Sequence, residues 1–362
     1  MSATTGAPPR GLSATSIDFG GPQIVLRLGG AAARLRRRSA IAGVVLLLLI
    51  LVLGALALTT GDYPLSLAQV WAALTGDAEA GFASTVVLEW RLPRTLAAIV
   101  FGASLGVSGA VFQSLTRNPL ASPDIIGFST GSYTGALVVI VFLGGGFLQI
   151  ASGALVGGIG TALLVYLLSW QRGMQGFRLV IVGIAVSAML TSLNTWLLLT
   201  SKQEVALSAT AWGIGTLSGI VGEQVALAAI VIAALFVALA FAAPGLRQLE
   251  LGDDSARASG VHVEPLRLAL IAAGVGCTAV VTAAAGPIVF VALAAPQIAR
   301  RIVRSPGIAL MPAALTGALL LVAADFIAQH LLTAALPVGV VTVVIGGGYL
   351  VWLLVHEARR RA

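Results

Sequence analysis

"RLPRTLAAIVFGASLGVSGAVFQSLTRNP" (residues 91–119) opens on two arginines three residues apart. It then runs from Thr95 to Thr116 without a charge and closes on Arg117, Asn118 and Pro119. A helix needs ~20 apolar residues to cross a bilayer, and this run supplies them. Strands of a membrane barrel would alternate polar and apolar residues over about ten positions, and this run does not. The rest of the chain extends the reading. Of its 362 residues 58% are hydrophobic and only 10% charged, with a mean hydropathy of +1.00. A soluble domain cannot bury that much apolar surface, whereas a polytopic all-α membrane protein exposes it to lipid.

Spans of sufficient length fall at about 39–60, 92–113, 124–144, 147–169, 179–200, 223–243, 267–285, 286–303, 308–330 and 337–356, which makes ten helices. The boundary between the seventh and eighth is the weakest, because "AAAGPIVF" offers only Gly286 and Pro287 as a break. With the N-terminus in the cytoplasm and the helices alternating, all but three of the 21 Lys and Arg residues lie on the cytoplasmic side. That asymmetry is the positive-inside pattern, and a wrong helix count would scramble it. It accounts for the pI near 10.7 without a nucleic-acid partner. The three outside cations are Arg91, Arg94 and Lys202. Residues 1–38, rich in Gly, Ala, Ser and Pro and ending in "RLRRR", read as a disordered basic cytoplasmic tail. Residues 39–356 form the membrane domain, and 357–362 a second basic cytoplasmic tail.

Several chemistries are excluded. The single Cys277 rules out a disulfide framework and a cysteine metal site, and His262, His330 and His356 lie far apart in sequence, so neither a metal centre nor a catalytic residue is expected. No Walker A motif is present; the only lysine is Lys202, in "TSKQ". If ATP drives this protein, another chain binds and hydrolyses it. "GIGTLSG" (213–219) follows no strand and is not a dinucleotide loop. A ladder of acids and histidines through the membrane, as proton coupling needs, is missing. Asp325 is nearly alone and reads as an interfacial or capping residue toward the outer end of its helix. "GASLGVSGA" (102–110) and "GALVGGIG" (153–160) place small residues where helices approach closely.

The largest internal cytoplasmic segment is "RQLELGDDSARASGVHVEPLRL" (247–268). Asp253 and Asp254 suit a helix N-terminus and Gly260 a C-terminal stop, so a short amphipathic helix is expected near 249–261, in a loop longer than connection requires. It reads as a docking helix for a cytoplasmic partner. "RNPLASPDIIG" (117–127) alone reads only as a turn.

Together these stretches resemble a family. Residues 91–131, "LGDDSARASGVHV" (251–263), "AGPIVFVALAAPQIARR" (285–301), "LLLVAAD" (319–325) and "LPVGVVT" (336–342) are similar to the signature of the permeases of binding-protein-dependent iron–siderophore, haem and vitamin B12 importers. The likeness covers nearly all of the chain from residue 40. It implies the ten-helix fold of a type II ABC importer permease, used in pairs on two ATPase subunits, with an extracytoplasmic siderophore-binding protein as donor. It implies that Arg91 and Arg94 receive that protein's carboxylates. It also implies that Leu251, Gly252, Asp253, Asp254, Ala256, Arg257 and Gly260 belong to the helix that couples to the ATPase. Within the family the chain is most like the second permease of ferric-enterobactin-type importers, through "EWRLPR", "FRLVIVGI" (177–184), "NTWLLL" (194–199) and "LPVGVVTVVIGGGYL" (336–350). Gln297, Gln329, Ala335 and Gly348 depart from the wider pattern, so a heterodimer with a similar permease is expected. A pathway for a bulky cargo needs walls without strong fixed charges. Gln113, Asn118, Asn194 and Gln297 are its candidate wall positions. The expected cargo is a ferric siderophore of the catecholate class, and the expected site is the bacterial inner membrane. A stand-alone secondary transporter of a small solute is the alternative.

Overall fold

The computed structural model describes residues 23–28, 31–77, 81–170, 176–305, 307, 309–331 and 335–361. Two strands, β1 (Gln23–Leu28) and β2 (Ala31–Arg36), pair antiparallel in the register Leu28↔Ala31. The composition of residues 1–38 argues for disorder, yet 23–28 and 31–36 form paired strands, and residues 1–22, 29 and 30 lie outside the described part. The apolar, β-favouring run Ile24–Val25–Leu26 within "QIVLRL" is the local signal that composition averaged away.

The helices follow in the order α1 (Arg37–Thr59), α2 (Leu67–Thr75), α3 (Phe82–Thr85), α4 (Leu92–Thr116), α5 (Phe128–Val138), α6 (Phe147–Ser169) and α7 (Gly176–Thr200). Next come α8 (Gln203–Gly213), α9 (Gly222–Glu250), α10 (Asp253–Ala258), α11 (Val263–Ala285), α12 (Val291–Val303), α13 (Leu310–His330) and α14 (Val338–Arg361). A π-helical turn, Val86–Arg91, joins α3 to α4, and a second, Val139–Leu143, extends α5. Each of the ten expected spans coincides with one of these helices. Among the described residues seven helices are long and apolar enough to cross a membrane, and Phe128–Leu143 and Val338–Leu353 are shorter apolar helices.

The eighth span differs most from expectation. It begins at Val291 rather than 286, because Gly286 (φ 73°) ends α11 and Phe290 (φ 70°) stands in the left-handed region before α12. A non-glycine residue held there is unusual. The basic residues after 356 are also not a separate tail, since α14 continues to Arg361.

α4 is the hub, packed against α9, α11, α12 and α13. A Cβ at Gly102 would meet the Gly317 carbonyl of α13, and one at Gly106 would meet the Ala313 carbonyl. Glycine there permits backbone-to-backbone contact, as small residues do between membrane helices. Gly135 of α5 approaches Gly153 and Gly157 of α6 in the same way. Hydroxyls join α4 to α11: Ser104 Oγ donates to the Cys277 carbonyl at 2.9 Å and Ser108 Oγ to the Gly274 carbonyl at 2.6 Å. Such bonds satisfy polar groups that lipid could not.

Candidate functional sites at the two ends of the bundle

At one end of α4, both arginines of the opening motif are engaged within the chain. Arg91 donates from Nη1 to the Leu58 carbonyl (2.8 Å) and from Nη2 to the Tyr63 carbonyl (2.7 Å). Leu58 lies in the last turn of α1, whose free carbonyls and dipole attract a cation. Arg94 grips Asp325 of α13 with Nε at 2.9 Å from Oδ2 and Nη2 at 2.7 Å from Oδ1. The two side chains are only 18% and 10% exposed. A bidentate guanidinium–carboxylate pair of this kind satisfies a charge that membrane depth would otherwise make costly. Arg94 Nη1 also donates to Ser218 Oγ at 3.2 Å. Ser218 lies in the 214–221 connection, inside "GIGTLSG", where Gly215 and Gly219 take positive φ. That segment is a junction: Thr216 N–H donates to the Ala285 carbonyl, and Gly339 N–H to the Gly215 carbonyl. Asp325 is thus the counter-ion of Arg94, a role beyond the capping or interfacial one. Its signal in the sequence was a lone membrane acid predicted at the same end as two lone arginines.

At the other end, the short helix is narrower than expected. α10 covers only Asp253–Ala258, because Leu249 and Glu250 complete α9, and Gly252 (φ 118°) and Gly260 (φ 82°) bound the turn. Ala256 is fully buried and packs into the core, while Leu251 is 72% exposed. Asp253 is the joint of this segment. Its Oδ1 accepts from Arg117 Nη2 at 2.8 Å and its Oδ2 from Arg267 Nη2 at 2.8 Å. Arg117 also donates to the Leu249 carbonyl at 2.8 Å. Partial burial alone would raise the Asp253 carboxyl, but the bonds and charges of Arg267 and Arg117 outweigh it and hold it below the usual carboxylate range. Arg267 is itself 4% exposed and pairs with Glu264 as well. Among the described residues Arg257 pairs only with the exposed Asp254 of its own helix, at 3.0 Å. α10 is therefore clamped to the ends of α4, α9 and α11, with Leu251 turned outward.

Three of the four proposed wall residues come together near this end. Gln113 donates from Nε2 to the Leu293 carbonyl at 3.0 Å, tying α4 to α12. Gln297 Nε2 donates to the Pro119 carbonyl, and Asn118 Oδ1 accepts from Leu120 N–H at 2.9 Å. Gln113 and Asn118 line a cavity of about 200 Å³ with Ser114, Arg117, Pro119 and Glu250. Asn194 is buried on α7 and is not among the residues lining that cavity.

The sequence profile described as the FecCD transport family matches residues 46–356. The chain belongs to this family. Among curated FecCD relatives, the ferric enterobactin transport system permease protein FepG of Escherichia coli (strain K12) is 50% identical over 326 residues, covering 90% of this chain and 98% of that protein. The Fe(3+) dicitrate transport system permease protein FecD of the same strain is 38% identical, with 83% and 94% covered. The hemin transport system permease protein HmuU of Yersinia pestis is 32% identical, with 86% and 94% covered. A metal-chelate type ABC transporter solved in an inward-facing conformation superposes with a TM-score of 0.75 at 27% identity, over 88% of this chain and 99% of that one. The FecCD chain described here is a multi-pass membrane permease of an ABC importer, a class that works with an ATPase and a binding protein.

Proposed function

We propose that this permease carries a ferric siderophore of the catecholate, enterobactin-like class inward across the bacterial inner membrane, as one half of a heterodimer with a second, similar permease. The observation that carries the reading is the 50% identity to FepG across nine-tenths of the chain, relatives being matched nearly end to end. In this reading both ends of the chain are cytoplasmic, which the charge asymmetry supports. The binding protein presses its carboxylates on the Arg91–Arg94 end. A guanidinium has five N–H donors, and Asp325 takes only those on Nε and Nη2 of Arg94. The Nη1 N–H left over from the bond to Ser218, together with Arg91, is then the point of contact. The partner ATPase binds and hydrolyses ATP and receives α10 together with the exposed Leu251. Its closure moves α10, and through Asp253 the ends of α4 and α11, so that the pathway opens to alternate sides. The chain performs no chemistry on its cargo and holds no cofactor. Family membership removes the ground for a stand-alone secondary transporter.

The test is uptake in proteoliposomes containing the chain, its partner permease, the ATPase and the binding protein. ATP-dependent entry of ferric enterobactin, with little entry of ferric citrate or a ferric hydroxamate, is the expected result. Equal uptake of all three would overturn the catecholate assignment, and uptake without ATP would overturn the importer mechanism.

A further inference from the structure

The arginine-rich edge of the bundle carries a feature that transport leaves unused. α12 contacts both α1 and α14, and its C-terminal end lies where α1 begins and where α14 approaches its end. Arg38, in the first turn of α1, donates from Nε to the Ile302 carbonyl of α12 at 2.9 Å. That bond pins one guanidinium against the α12 end while the residue stays exposed. The neighbouring Arg301 is also exposed. Its guanidinium carbon lies 4.8 Å from the ring centre of Trp352 and 6.0 Å from that of Tyr349, both on α14. Stacking on the indole holds the cation in place without neutralising it. His356 stacks on the same indole at 5.3 Å, with the rings 11° from parallel. Among the described side chains, neither Arg38 nor Arg301 is paired with a carboxylate.

Apolar surface begins directly beside these cations. On α1, Ile41 and Val44 are 53% and 58% exposed, and on α14 Val351 and Trp352 are 62% and 51% exposed. A helix turn rises only about 5.4 Å, so charged heads and bare apolar flanks lie within one headgroup's height of each other. A soluble anion would use the arginines alone. An amphiphile uses both.

We propose that the Arg38–Arg301–Trp352 edge binds the phosphate of an anionic phospholipid, whose acyl chains lie along the exposed faces of α1 and α14. Guanidinium forks match phosphate oxygens, and an interfacial tryptophan suits the level of the glycerol backbone. Basic pockets between membrane helices select anionic headgroups in this way. The lipid would brace α12, the short helix that follows the break at Phe290, against α1 and α14.

The experiment uses the full chain purified with its accompanying subunits and stripped of lipid. Native mass spectrometry and thermal melting are read with added phosphatidylglycerol or cardiolipin, with phosphatidylcholine, and with inorganic phosphate. The anionic lipids should be retained and raise the melting temperature, and the other two should not. Arg38→Gln with Arg301→Gln should lower anionic-lipid affinity roughly tenfold or more. Arg301→Gln alone leaves the Arg38–Ile302 bond in place and should lower it by a smaller factor. Equal stabilisation by phosphatidylcholine, equal stabilisation by inorganic phosphate, or unchanged affinity in a folded Arg301→Gln variant would each overturn the proposal.

Discussion

Asp325 shows how one side chain changes the meaning of another. Alone it is a costly acid in a membrane helix, and with Arg94 it forms a bidentate pair of 2.7 Å across α4 and α13. Removing one member of a largely buried pair strands the other and costs on the order of 3 kcal/mol. Asp325→Asn and Arg94→Gln should each lower the melting temperature, and the double variant should lose less than the sum. Strict additivity would show that the pair does not act as a unit. Arg91→Glu should weaken binding-protein affinity while the subunits still assemble. Unchanged affinity would leave Arg91 only its bonds to the Leu58 and Tyr63 carbonyls. Asp253 makes a pH prediction. Its folded carboxyl is held low by Arg267 and Arg117, so its stabilisation is complete above the unfolded value of about 4 and is lost as pH falls through the lower folded value. Melting followed from pH 7 downward should show a shallower acid-side fall in Asp253→Asn than in the wild type.

At the scale of the element, α10 is too short to be stable alone, since isolated helices of that length are marginal. It persists because Ala256 is buried and Asp253 bridges two arginines. Ala256→Pro removes the Ala256 N–H bond to the Gly252 carbonyl and forces a ring into a packed site. We expect assembly with the ATPase but little uptake for each ATP hydrolysed. Normal coupled uptake would remove α10 from the coupling path. α12 presents the opposite case. It is short because Gly286 and Phe290 hold positive φ, and it is held at its flanks through Gln113 and Gln297.

For the whole molecule, the question is the partner. Gln329 is one of the departures from the wider family pattern, and here its Nε2 donates to the Leu336 carbonyl at 3.3 Å. It is thereby committed to the connection before α14. A second permease with its own docking residues would complement that departure. Purification from native membranes, with the co-purifying proteins identified by mass spectrometry, should recover a second ten-helix permease and an ATPase. An ATPase without a second permease would make the importer a homodimer.

Hydropathy is additive along a chain, so the ten spans and the glycine seams were legible from residue order. The family motifs marked Arg91, Arg94 and the 251–260 loop for the same reason: each is contiguous. Pairings between residues distant in sequence were not legible. Arg94 and Asp325 are separated by 231 positions and Arg117 and Asp253 by 136, and no local periodicity links them. The late starts of α10 and α12 depended on positive φ at Gly252, Gly286 and Phe290. A phenylalanine gives no warning of that conformation, because only its packed neighbours can compensate the strain. Residue order specified which groups must avoid lipid, and only the tertiary structure decided which partner each would find, because a buried charge is satisfied by proximity in space.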